Sequence, residues 1–139
     1  MKVVNSHGSL LGLIANPEQA NQVHDFSKLR RGKCTPTDID GMLEFHSQTF
    51  VFWEFKHWRN PFIPDGQRIA IEQLCDVVSN SRPSIIFHCI HEIEAPAPID
   101  CGPVPVHRYY RSGKWITPSI EISAAQALKV WLDNMNRGR

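Results

Sequence analysis

The chain has 139 residues, a formal net charge of +1, 42% hydrophobic and 21% charged residues. That is one domain's worth of a globular protein, so a single domain over residues 1–139 is expected. No apolar run approaches a membrane span, and the near-neutral charge excludes a protein that coats nucleic acid by bulk electrostatics.

The N-terminal stretch MKVVNSHGSLLGLIANPE has one Lys ahead of a short apolar piece and a poor cleavage-site pattern, so it does not read as a signal peptide, and a cytoplasmic location follows. Residues 17–30 carry Val23, Phe26 and Leu29 at spacings of three, with Pro17 near the start and Gly32 after the end, which predicts a first helix. Thr35 to Asp40 reads as a loop. Residues 41–46 and 50–58 read as two strands joined by a short polar turn near Ser47-Gln48, a hairpin.

A second helix is expected over 66–79, with Ala70, Ile71, Leu74, Val77 and Val78 as its apolar stripe. The run SIIFHCIHEI, residues 84–93, reads as a strand inside the sheet. After a proline-rich crossing, 104–111 reads as a last strand and 122–134 as an amphipathic helix. The order helix, hairpin, helix, strand, strand, helix is that of a mixed α/β domain with one central sheet of four to five strands flanked by helices.

The four cysteines, Cys34, Cys75, Cys89 and Cys101, form no C-x-x-C pair and read as reduced thiols. A zinc site drawn from Cys89, His91, Cys101 and His107 is the weaker alternative, because the spacing is irregular. Three basic clusters offer phosphate contacts: Lys28, Arg30, Arg31 and Lys33; Arg108, Arg111 and Lys114; and the tail ending at Arg139.

The stretch TPTDIDGMLEF, residues 35–45, resembles half of a calcium loop. With Gly41 at the sixth position of an EF-hand loop, however, the first position is Pro36 and the twelfth is Ser47, and neither supplies the required carboxylate. The acids therefore need another partner. In FVFWEFKHW, residues 50–58, Phe50, Phe52, Glu54, Lys56 and Trp58 share one face and Val51, Trp53, Phe55 and His57 the other. Both faces are largely apolar, so Glu54 and Lys56 lie side by side on a strand covered on both sides. Burying them demands compensation. A simple ion pair is one answer; a metal site shared with a second carboxylate is the other. A three-residue turn, or a bulge, sets Asp40 opposite Lys56 and on the same face as Glu54, whereas a two-residue turn pairs Asp40 with Phe55 and points it away.

Pro36-Thr37-Asp38-Ile39-Asp40 followed after 13 residues by Glu54-Phe55-Lys56 resembles the PD-(D/E)XK nuclease superfamily, which includes restriction endonucleases, phage exonucleases and Holliday junction resolvases. The likeness spans about residues 17–92. It implies a restriction endonuclease-like core of α-β-β-β-α-β order. The proline stands four residues before Asp40 instead of beside it, and Asp38 is the alternative ligand. The resemblance further implies that Gln67, in Gly66-Gln67, lines the active site from the second helix, and that Glu18 matches a first-helix glutamate of resolvase-like members.

On this resemblance the chain is a metal-dependent nuclease acting on DNA. Asp40, Glu54, the Phe55 carbonyl and, less centrally, Glu18 would hold Mg²⁺ or Mn²⁺, Lys56 would orient water, and the products would carry 5′-phosphates. Small size and the lack of an obvious specificity domain favour structure-selective cleavage or help from partners, a homodimer among them. Tyr109, Tyr110 and Trp115 are candidates for base stacking, against the commoner role of core aromatics. No G-x-S-x-G, Walker-type or H-E-x-x-H motif supports another hydrolase. The rival is an inactive nuclease-fold module that binds DNA or a protein.

Overall fold

The computed structural model describes residues 24–137. The chain divides into two compact units, Met1–Pro36 and Thr37–Arg139. Of the helix expected over 17–30, residues 17–23 lie outside the described part. Residues 24–30 form a single 3₁₀ turn, Ser27–Leu29, followed by an Arg31 to Cys34 bridge. Asp25 accepts the Ser27 N–H at 3.0 Å, an Asx turn that competes with a longer helix.

The second unit is built on a five-stranded sheet. Its strands are β1, Gly41–Phe45, β2, Thr49–His57, β3, Ser84–His91, β4, Val106–Arg111, and β5, Lys114–Ile116, and they lie side by side in chain order. Only β2 and β3 run parallel. The crossover between them is helix α1, Asp65–Ser79, and helix α2, Ala124–Arg137, follows β5. The sheet is therefore mixed, with two α-helices among the described residues where three were expected. Two strands, not three, precede α1 in this unit, which departs from the expected α-β-β-β-α-β order.

The pairing of Phe45 with Thr49 leaves a three-residue turn, His46 to Gln48. His46 and Ser47 both take positive φ, 48° and 59°, and the Ser47 N–H is taken by the Glu44 carboxylate at 2.6 Å. Gly41 opens β1 opposite Trp53, whose ring lies 3.4 Å from where a Cβ at position 41 would stand. The β5 hairpin is absent from the expected elements. Its turn is Ser112-Gly113, both at positive φ, the combination a two-residue hairpin loop requires.

Two cores lie on opposite faces of the sheet. Val51, Ile85, Phe87, Cys89 and Val106 pack with Ala124, Ala127 and Trp131 of α2. Phe52, Ile86 and Tyr110 pack with Ile71 and Cys75 of α1. A register shift at His88/Cys89 lets Val106 face α2 while Arg108 and Tyr110 face α1. The start of α2 is set by a capping box: Ser123 Oγ accepts the Gln126 N–H, and Gln126 Oε1 accepts the Ser123 N–H, at 3.2 and 3.0 Å.

The expected apolar stripe of α1 needs correction. Ile71 is buried, but Ala70, Leu74 and Val77 are exposed, and the helix turns Gln67, Ile71 and Cys75 inward. The inward face mixes amide and carboxylate with apolar residues because it covers a partly polar strip of sheet. Counting apolar residues alone therefore picks the wrong side.

Candidate active site

The site forms where β1 gives out beside β2. The observed register continues to place Asp40 opposite Glu54, rather than opposite Lys56 as expected from the sequence. The side-chain face is unchanged, since positions 54 and 56 share it. The Asp40 carboxylate accepts the Phe55 N–H through Oδ2 at 2.8 Å. A strand residue aims its N–H and C=O toward the same edge, so the Phe55 carbonyl points to the margin that Asp40 occupies.

Glu54 is 0% exposed. Its Oε2 accepts the Gln67 amide N–H at 2.9 Å, while Oε1 is buried without a hydrogen-bond partner. Gln67 also accepts from Lys56 Nζ through Oε1 at 3.1 Å, and its Nε2 reaches the Asp38 carbonyl at 3.3 Å. Lys56 stands 3.8 Å from Glu54 Oε2, too far for a tight pair. The Gln67 amide bridges acid and base, which also explains why the first turn of α1 buries a polar side chain. Burial, and next the Asp40 charge, push the Glu54 carboxyl up to about 7, with Lys56 acting in the opposite direction.

Asp38 contributes its main-chain carbonyl to Gln67, and its charge bears less strongly on Glu54 than that of Asp40. Glu18 lies outside the described residues. Lys28, Arg30, Arg31 and Lys33 are exposed in the first unit. The second basic cluster is split by the sheet. Arg108 faces α1 as Glu54 does, whereas Arg111 lies over the Trp131 ring at 5.2 Å on the α2 face, with Lys114 paired beside it. The Tyr110 hydroxyl is bonded to Asp76, and the Trp115 indole N–H to Glu72.

Sequence reasoning passed over His88, which pairs with Glu54 across β2 and β3 and is 1% exposed. Its signal was its alternation with Ile86 and Ile90, which places it on the Glu54 face. Burial lowers its pKa to about 4, with the nearby Arg108 adding to the effect, so the ring is neutral. The four cysteines are free. Cys89 belongs to the α2-side core, where burial pushes its thiol up to about 12.

No family model, curated protein or solved structure matches the chain. The chemistry is therefore read from the arrangement itself. Among the described residues no group of three or more His, Cys, Asp and Glu side chains is disposed to hold a metal. Asp40 and Glu54 offer two carboxylates, with a main-chain carbonyl directed to the same margin. That hard-oxygen set suits Mg²⁺, which is commonly held by one or two carboxylates and completes its shell with water and substrate phosphate. The orphaned Glu54 Oε1 is the atom that such a cation would satisfy. No helix among the described residues is long and apolar enough to cross a membrane.

Proposed function

We propose that the chain is a divalent-metal-dependent nuclease that hydrolyses DNA phosphodiester bonds, with its catalytic residues carried on a restriction endonuclease-like core. The observation that carries this reading is Glu54: a wholly buried carboxylate beside Asp40, with one oxygen tied to Gln67 and the other unsatisfied. A structural Glu–Lys pair would close its contacts on itself. Here the ammonium stands off at 3.8 Å and bonds the amide instead.

Asp40, Glu54 and the Phe55 carbonyl are the residues that would hold Mg²⁺ or Mn²⁺. Bound there, the ion supplies Lewis-acid polarisation of the phosphate and a water of lowered pKa. Gln67 fixes the Lys56 rotamer, so the ammonium is preorganised to orient the attacking water and to offset negative charge that develops on the phosphoryl oxygens. The apolar flank of Phe52 and Ile86 keeps bulk water from one side of the carboxylates and strengthens those interactions. In-line attack breaks the bond to the 3′ oxygen, leaving 5′-phosphate and 3′-hydroxyl ends. The small unit favours structure-selective substrates.

The test is incubation of purified protein with single-stranded, duplex and branched DNA in Mg²⁺ or Mn²⁺ and in EDTA. Metal-dependent cleavage is expected, with Glu54→Ala and Lys56→Ala each lowering the rate by about 100-fold or more while circular dichroism stays native. Absence of cleavage by wild type on all three substrates refutes the reading and leaves a module that only binds.

A further inference from the structure

The Glu54 site continues across the sheet. Glu54 on β2 pairs with His88 on β3, and His88 with Arg108 on β4. Three polar side chains thus stand in one row on the face that α1 covers. The neighbouring row, Phe52, Ile86 and Tyr110, is apolar core.

His88 is arranged to hold the arginine. Its Nε2 lies 2.8 Å from the Pro61 carbonyl oxygen, which can only accept, so Nε2 carries the proton and Nδ1 is an acceptor. Nδ1 takes the Arg108 Nε–H at 3.2 Å. The guanidinium also lies over the Trp115 ring, 4.3 Å from its centroid, and the indole N–H is bonded to Glu72 at 2.9 Å. One edge and one face of the guanidinium are therefore fixed.

Among the described residues its terminal amino groups pair with no acid. Glu72 is the acid whose charge bears on Arg108, but Arg68 occupies one of its oxygens at 2.6 Å and Trp115 the other. A half-buried, oriented planar guanidinium without a carboxylate carries a desolvation cost that an oxyanion accepting in bidentate fashion repays. Two interstrand spacings, about 9–10 Å, separate the Glu54 and Arg108 backbones, which suits a phosphate next to the one being attacked.

We propose that Arg108 anchors the phosphate adjacent to the scissile one, and that His88 and Trp115 are positioning residues that pre-set its fork. This rests on the nuclease reading above. An anchor on a non-reacting phosphate holds ground state and transition state alike, so its loss raises KM and spares kcat.

The experiment is steady-state cleavage of duplex DNA over a range of salt by wild type, Arg108→Gln, Arg108→Lys, His88→Phe and His88→Asn, with folding followed by thermal unfolding. Arg108→Gln is expected to raise KM about tenfold or more with kcat nearly unchanged, and to reduce the salt dependence of binding by about one phosphate contact. Arg108→Lys recovers the salt dependence but only part of the affinity, since it keeps charge without the fork. His88→Phe shows the same KM rise, and His88→Asn, which keeps an acceptor near the Nδ1 position, recovers it. Unchanged KM and salt dependence in a folded Arg108→Gln overturns the proposal while cleavage by wild type upholds the nuclease reading; so does a fall in kcat alone. A wild type that neither binds nor cuts DNA overturns both, and one that binds without cutting overturns the nuclease reading and, with it, an anchor beside a scissile phosphate. If His88→Phe fails to fold, the Arg108 variants decide.

Discussion

Replacing Glu54 with Gln in metal-free protein isolates the central electrostatic claim. Glu54 is 0% exposed, and burial beside Asp40 pushes its carboxyl from an ordinary 4.5 up to about 7. A carboxyl whose folded-state pKa is raised contributes stability that is fully present below its unfolded pKa and is lost as pH rises through the folded one. At 1.36 kcal/mol per pKa unit the loss is about 3 kcal/mol, most of it falling between about pH 5 and about pH 8.5. Gln keeps an acceptor for the Gln67 amide, whose bond to Glu54 is 2.9 Å, and cannot ionise. Urea unfolding in EDTA at the two pH values, compared between wild type and variant, should show the Glu54→Gln protein gaining relative stability at the higher pH by roughly that amount. Saturating Mg²⁺ at the higher pH should then stabilise wild type, by about 2.7 kcal/mol at one hundred times the dissociation constant, and leave the variant unmoved. A stability difference that is flat with pH, or a variant weaker than wild type at the higher pH, would refute the picture of an acid held buried against its own charge.

Gln67→Ala removes the amide that joins Glu54 and Lys56 and leaves a second buried Glu54 oxygen unsatisfied, which should cost about 1–3 kcal/mol in urea unfolding and lower the cleavage rate together with it. Loss of neither would show that the amide is incidental. On the α2 side, Thr49 is 0% exposed, accepts the Trp131 indole N–H at 2.9 Å and donates to the Pro83 carbonyl at 2.7 Å. Thr49→Val keeps the shape and orphans both partners, so thermal unfolding should show a loss of about 2 kcal/mol with DNA cleavage at temperatures below the transition unaffected.

Much of the second unit was legible locally. Both arms of the hairpin, α1, β3 and α2 lie within a few residues of their expected ranges, because alternation, helical period and turn residues act over a handful of positions. Ser123-Ala-Ala-Gln126 and Ser112-Gly113 were available as a capping box and a hairpin turn, and would have placed the start of α2 and the missing β5. Glu54 and Lys56 were legible for a different reason: charged residues in a run apolar on both faces signal a buried polar site wherever the strand is placed.

The sequence alone thus determined which strand carries the acid and base, and that Asp40 is in chain reach of them. The tertiary structure decided the rest. Asp40 stands opposite Glu54 because the hairpin closes on a three-residue turn in which His46 and Ser47 both take positive φ, an uncommon conformation outside glycine. The side of α1 that faces the sheet was set by Gln67 and Glu72 meeting polar partners on β2 and β5, against the apolar count. The row Glu54, His88 and Arg108 exists only through the order and register of β2, β3 and β4. Sheet order follows from burying two faces at once across segments tens of residues apart, and a periodicity read along the chain holds no record of which strands become neighbours.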